Sequence, residues 1–515
     1  MEALPSTQNP ADSTPLAPVE PSDQGQVRAA VSRARKAQPA WAARSLAERA
    51  DAVRELARTL LAEKDHGLEV MSGETGRGKT ECLMSELVGV LDFVEGAVRA
   101  ANKALAPERI ALSRINYPGK RCTVEMVPRG VVAIIAPWNY PLANFFKSLF
   151  PALLSGNTVV LKPSEYTPRT GAWLADVCSK VLPEGVVGLV QGGGDVGSAL
   201  VDADIDAVVF TGSVRTGRRI AVRAAEKLIP CSVELGGKDA AIVLADCNLD
   251  RTVAGVLQWG MHNAGQNCAA IERVYVEESI ADAFVAALGK AAERLKVAPD
   301  ADPSDLGPLQ NEAQLRIVTD QVADAKDKGA KVVAGGKATG HGLGYAPTVL
   351  DKCSHEMKVM TEETFGPVIA IMRVKNADEA VARANDSVYG LNGSVWTSNI
   401  ERGEQIARSL QVGVALVNNH AITGILSETP WTGVKETGTG VASSRHSYGT
   451  FVRPRTVFVD KSSKPDPWWM PANEDLTALG EALVQKAQGS FGVLFKLAGL
   501  VGKRVKAIEG LVREK

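Results

Sequence analysis

Several absences narrow what this chain can do. Its seven cysteines, at 82, 122, 178, 231, 247, 268 and 353, include no CxxC pair and are odd in number. That argues against a disulfide framework or a zinc cluster and for a reducing compartment. The six histidines show no HExxH or comparable ligand spacing, so no metal site is expected. With 58 Lys and Arg against 59 Asp and Glu, no global field draws in nucleic acid or anionic lipid. No run of apolar residues is long enough to span a bilayer. The start, Met1-Glu2-Ala3-Leu4-Pro5, lacks the basic and apolar regions of a signal peptide. A cytoplasmic location is the expectation. No internal repeat of fixed period is visible.

What is present is an ordinary globular composition, 45% hydrophobic and 23% charged over 515 residues, enough for roughly three domains. Residues 1–25, rich in Pro, Ser, Asp and Gln, read as a disordered lead. From about 27 to 105, apolar residues recur at three and four, broken at Gly76-Arg-Gly78, which predicts helices. Strands follow near 122–126 and 131–135, then strand and helix alternate through 158–161, 168–181, 186–190, 195–201, 207–210 and 215–227. That rhythm predicts a parallel, doubly wound sheet. A second alternating series begins near 237, with strands near 240–244, 272–276, 331–333, 368–374, 393–397 and 414–418. The fold class is therefore α/β. One further strand, 450–459, precedes a Ser462–Pro467 linker and an amphipathic stripe of Leu494, Leu497, Val501, Val505, Ile508 and Val512 with lysines around it. A helix packed on its own subunit or a neighbour fits this stripe best, with peripheral membrane contact as the alternative.

The chemistry is carried by short segments at strand ends. Asn267-Cys268 sits on a small, polar Ala264-Gly-Gln-Asn-Cys-Ala-Ala270 turn that gives access to a thiol, and Glu234-Leu-Gly-Gly-Lys238 puts an acid beside two glycines. A thiolate attacks carbonyl carbon, and a carboxylate can activate the water that clears the thioester. A buried apolar cysteine and a structural carboxylate would fit the same letters. Ile135-Ala-Pro-Trp-Asn-Tyr-Pro141 fixes Asn139 between prolines at a strand's carboxyl end, where an amide donor could meet an oxyanion. A turn-capping Asn fits there too. Lys162 and Glu165, on a Pro-fixed turn, could address one ribose or form a solvated pair. Phe210-Thr-Gly-Ser-Val-Arg-Thr-Gly217 reads as a strand, turn and helix start suited to phosphate. Gly192-Gly-Gly-Asp-Val-Gly197 matches G-x-G-x-x-G but lacks the acidic residue about twenty positions on, so it reads as a tight turn beside an adenine pocket. Glu362-Glu-Thr-Phe-Gly-Pro367 adds an acidic, aromatic loop before a buried strand.

In this order and spacing, P-W-N-Y-P, K-P-S-E, F-T-G-S-x-x-x-G, E-L-G-G-K, G-Q-N-C and E-E-T-F-G-P resemble the aldehyde dehydrogenase superfamily from about 27 to 460. The resemblance implies two doubly wound α/β domains, a Rossmann-like NAD(P)-binding domain (26–108 and 128–236) and a catalytic domain (237–446). It also implies a small β oligomerisation element (109–127 and 447–461), followed by a linker and tail over 462–515. By resemblance Cys268 is the nucleophile, Asn139 with the Cys268 N–H holds the oxyanion, and Glu234 activates the deacylating water. Trp138, Lys162, Glu165, Gly212, Ser213, Gly217, Leu235, Glu363 and Phe365 match cofactor positions. A hydrolytic enzyme acting on a small-molecule aldehyde is implied, as a homodimer or homotetramer. NAD is preferred over NADP, because the Glu165 charge repels a 2′-phosphate. An enzyme specific for a semialdehyde such as succinate semialdehyde is the alternative. The family's P-F-G-G-x-K-x-S-G-x-G appears as Pro430-Trp-Thr-Gly-Val-Lys-Glu-Thr-Gly-Thr-Gly440, so Trp431 and Thr432 depart from it at the substrate mouth or a subunit contact.

Overall fold

The computed structural model describes residues 4–113, 116–298 and 304–513. Residues 1–3 of the expected lead, 114–115 of the expected oligomerisation strands, 299–303 and the last two tail residues lie outside this description. The chain forms two compact units, one of residues 1–106 and 126–453, the other of 107–125 and 454–515. Both expected α/β domains fall in the first unit.

The first sheet has five parallel strands in the spatial order Val187–Leu189, Thr158–Lys162, Val131–Ile135, Ala207–Thr211, Cys231–Glu234. Every residue of Val131–Ile135 and Thr158–Lys162 is buried, which is why these β-branched runs were readable as strands closed on both faces. The winding reverses between Val131–Ile135 and Ala207–Thr211, so a crevice opens at their carboxyl ends, where ligands bind in open α/β sheets. Cys231–Glu234 was not anticipated. It places Glu234 at the end of an edge strand, paired with Thr211.

The second sheet has seven strands, ordered Lys331–Ala334, Thr348–Asp351, Val368–Val374, Ile271–Glu277, Asp239–Val243, Asn392–Trp396, Val414–Val417. Only the Lys331–Ala334 edge is antiparallel. Cys268 lies three residues before the Ile271–Glu277 strand, and Glu363 five before Val368–Val374. The candidate residues thus gather where the carboxyl ends of the first sheet face the amino ends of the second.

The described part of the lead, residues 4–25, is ordered. Leu4, Ser6 and Ala11 are buried, and Leu4 donates to the Val19 carbonyl at 3.0 Å. Arg169 donates to the Ser6 hydroxyl and carbonyl, both at 3.0 Å, and to the Ala17 carbonyl. The buried Glu74 carboxylate holds Arg169 at 3.1 Å. A polar composition predicts disorder when no partner surface exists. Here the partners come from residues some seventy and more than a hundred and fifty positions further along the chain.

In the second unit, Glu108–Ile110 pairs antiparallel with Lys120–Pro128, and Val452–Asp460 forms the other edge of this three-stranded sheet. The tail is no loose extension. Helices Glu474–Ala487 and Leu494–Val512 pack through Leu479, Ala482, Leu497 and Leu500. The first of these helices was not anticipated, although Asn473 caps it by accepting from the Leu476 N–H at 3.0 Å.

Candidate active site

The cysteine turn is built on left-handed backbone. Helix Leu249–Met261 ends in a short turn where Asn263, Ala264 and Gly265 have φ of 56°, 51° and 71°. Two non-glycine residues in that region cost about 1–2 kcal/mol each, so surrounding contacts must impose it. They do. The Asn263 amide donates to the Asn139 carbonyl at 2.7 Å, and Gln266 donates to the Asn263 and Pro308 carbonyls at 3.2 and 3.1 Å. Downstream, His420 contacts the Ala269 carbonyl at 3.1 Å. The result presents Cys268 partly exposed, its Sγ 3.8 Å from Asn267 Oδ1.

The two glycines of Glu234-Leu-Gly-Gly-Lys238 have separate tasks. A Cβ at Gly236 would lie 2.5 Å from Glu363 Oε1, and one at Gly237 would overlap the Cys268 carbonyl. Close approach at both positions brings the acid, the thiol and the Glu363 loop together. Glu363 accepts from the Gly237 N–H at 3.1 Å. The loop is pinned by Glu272, which accepts from the Thr364 and Phe365 N–H groups at 2.8 and 2.9 Å and from Lys238 Nζ at 2.5 Å. Phe365, at φ 50°, stands edge-on to Trp138 with ring centroids 5.4 Å apart.

One cavity of about 320 Å³ is lined by Cys268, Glu234, Asn139, Trp138, Leu235, Gly212, Ser213, Glu363 and Phe365 among others. A groove of about 790 Å³ adjoins it, sharing Trp138, Gly212 and Ser213 and adding Lys162, Glu165, Gly193, Gly194, Arg219 and Arg223. Gly193, Gly194 and Gly197 line the groove, but in place of the expected tight turn residues 194–197 open the helix Gly194–Asp202, with Gly193 before it. Ser213 caps helix Val214–Glu226, so the free N–H groups of that helix start face the join between the two spaces. Of the residues expected at the cofactor, Gly217 alone lines neither space. It is buried under Leu235, where a side chain would overlap the leucine. Lys162 is buried with its ammonium donating to the Pro163 carbonyl at 2.8 Å, not paired with Glu165. The groove's size and backbone donors, with Lys162 and Glu165 both lining it, suit a dinucleotide.

Asn139 accepts from Asn144 Nδ2 at 3.2 Å and donates to the Gln266 carbonyl at 3.0 Å. One amide hydrogen remains for the cavity. Burial pushes the Glu234 carboxyl up to about 7, opposed by Lys147. Burial likewise pushes the Cys268 thiol up to about 12, opposed by Lys147 and reinforced by Asp239, Glu234 and Glu363. Lys147 was missed. It is the one charged residue of helix Ala143–Leu154, and that isolation was the available signal. Its ammonium lies 4.5 Å from the centre of the buried Trp431 ring, so the departure at 431 packs against this lysine. Thr432 donates to the Gly440 carbonyl at 2.8 Å within the short Trp431–Thr432 and Val441–Ala442 ribbon.

A thiol, a carboxylate and an amide donor meet in one cavity beside a groove large enough for a dinucleotide. The model of the Aldehyde dehydrogenase family matches residues 3–457, and the chain belongs to that family. It is an NAD(P)-dependent aldehyde dehydrogenase. It is 37% identical over 460 residues, 88% of each chain, to a protein of Mycobacterium ulcerans provisionally named a succinate-semialdehyde dehydrogenase [NADP(+)]. It is also 37% identical over 448 residues to a 4,4'-diapolycopene aldehyde oxidase of a Methylomonas species, covering 86% of this chain and 83% of that one. Among solved structures it resembles Mycobacterium tuberculosis aldehyde dehydrogenase complexed with NAD+, at 35% identity and TM-score 0.83, covering 88% and 95% of the two chains. Lactaldehyde dehydrogenase of Escherichia coli matches at 32% identity and TM-score 0.84, covering 90% and 96%.

Proposed function

We propose that Cys268, Asn139 and Glu234 carry out aldehyde oxidation to the free acid in two covalent stages. The observation that carries this reading is their convergence on one cavity continuous with the groove. The Cys268 sulfur, its proton passed to a carboxylate, bonds to the aldehyde carbon, and the carbonyl oxygen becomes an oxyanion held by Asn139 Nδ2 and the Cys268 N–H. Nicotinamide, when bound, supplies the hydride acceptor. Loss of hydride leaves a thioester on Cys268. Glu234 then takes a proton from water, whose oxygen bonds to the acyl carbon as the C–S bond breaks. Lys162, Glu165, Gly212 and Ser213 hold the adenosine and pyrophosphate end, and Trp138, Leu235, Glu363 and Phe365 the nicotinamide end. Gly217 acts by letting its helix approach Leu235. Cys268→Ala is expected to abolish NADH formation while NAD binding by titration calorimetry stays within about twofold. Retained turnover would refute the assignment.

NAD is the preferred cofactor in this reading, because Glu165 lines the groove and its carboxylate repels a 2′-phosphate. A semialdehyde substrate is the second reading, favoured by the name of the Mycobacterium ulcerans relative and by Lys147, a cation whose field reaches Cys268. One screen of aliphatic, aromatic and carboxylated aldehydes with NAD and NADP in parallel tests both points. Higher kcat/KM with NADP, or no preference for carboxylated aldehydes, would dismiss the corresponding claim.

The exposed Val452–Asp460 edge strand supports a homodimer or homotetramer, since an open edge is a pairing surface. A single-chain mass by light scattering would contradict that. All seven cysteines are free, which suits the reducing cytoplasm, and among the described residues no helix is long and apolar enough to cross a membrane. Full alkylation of all seven under non-reducing extraction is the expected result, and a disulfide would count against that location.

A further inference from the structure

We propose that the helical hairpin of the C-terminal unit is a peripheral anchor for an anionic lipid surface. Its two helices pack on each other. Leu497, Leu500, Arg504 and Ile508 form the buried stripe of helix Leu494–Val512. Arg504, fully buried, donates to the Pro467 carbonyl and Asn473 Oδ1 at 2.9 and 2.7 Å and to the Trp469 carbonyl. That clamp fixes the turn before the hairpin with Trp468, Trp469 and Met470 outward, 46%, 52% and 81% exposed.

The rest of the last helix is more apolar than its packing uses. At 100° per residue, Leu494, Val501, Val505 and Val512 fall on one arc beside the buried stripe. Lys496, Lys503, Lys506 and Arg513 fall on the opposite arc, with Phe495, 94% exposed, on their side. Lys496 and Lys506 have no ion-pair partner among the described residues, and Lys503 reaches only Asp475, at 3.8 Å. Exposed tryptophans in the turn before the hairpin and an exposed Phe495 on the lysine arc match the chemistry of a bilayer interface, where amphipathic rings sit at headgroup depth and cations meet anionic phosphate.

Charge decides between a lipid surface and a second copy of this chain. From 494 to 513 there are five basic residues and a single glutamate, in a chain whose net charge is −1. A twofold contact would bring these like-charged helices against each other, whereas an anionic surface complements them. The hairpin lies on the surface and does not span it.

The test is co-sedimentation of the full chain with phosphatidylcholine vesicles, with and without phosphatidylglycerol. The wild type is expected to pellet with the anionic vesicles only. Lys496→Glu/Lys503→Glu/Lys506→Glu should partition about a hundredfold less, from roughly a fivefold factor per cation near such a surface. Trp468→Ser/Trp469→Ser/Phe495→Ser should also stay in the supernatant. Both variants change exposed residues and should keep wild-type NADH formation, which confirms that they fold. A wild type that stays soluble, or that pellets equally with neutral vesicles, overturns the proposal. So does a wild-type assembly, by light scattering, that falls apart in either variant, because a second copy would then cover this surface.

Discussion

Glu234 and Cys268 share one electrostatic problem, since burial disfavours the charged form of each. Unfolded, the Glu234 carboxyl loses its proton near 4.5, whereas in the cavity it keeps it up to about 7. Folding therefore takes up a proton between those values, and this group's contribution to stability falls as pH rises through the window, levelling off above about 7. Glu234→Gln removes that cost. Its melting temperature relative to wild type should be higher at pH 8 than at pH 5, and a pH-independent difference would count against a buried, protonated Glu234. Lys147 is the cation that opposes burial at both groups. Lys147→Gln should slow iodoacetamide alkylation of Cys268 at pH 8 by about fivefold or more, and Lys147→Arg should restore most of it. Alkylation unchanged in Lys147→Gln would remove the lysine from the account.

The segment that carries Glu234 works by close packing of backbone. Because a side chain at 237 would overlap the Cys268 carbonyl, Gly237→Ala should lower stability by about 1–3 kcal/mol and depress kcat, read by thermal melt and NADH formation. A variant with unchanged melting temperature and rate would contradict the packing. Much of this was legible beforehand. Val131–Ile135 is an unbroken apolar strand and Thr158–Lys162 has an apolar Val-Val-Leu centre, and the turns after them bear Asn139 and Glu165. Cys231–Glu234 was not, because four residues with a cysteine and a serine carry little strand signal. The left-handed Asn263 and Ala264 were hidden too, since only contacts from Asn139 and Pro308, distant in sequence, impose them. The ordered lead was hidden for the same reason, its partners Arg169 and Glu74 lying far along the chain. Local pattern shows what a segment can bury, and long-range contacts decide the rest.

At the scale of the whole molecule, each of the two large sheets supplies part of the lining of one cavity. The carboxyl ends of the first provide Trp138, Asn139 and Glu234, and the amino ends of the second provide Cys268, Glu363 and Phe365. The second unit adds an edge strand and a hairpin. The central claim is a covalent acyl-enzyme on Cys268 released by Glu234. Its most direct measurement is the intact mass of the Glu234→Gln chain, quenched after mixing with NAD and an aldehyde. The account predicts an added mass equal to the acyl group, mapped to Cys268, after a near-stoichiometric burst of NADH with little further turnover. An unmodified chain turning over at the wild-type rate would contradict it.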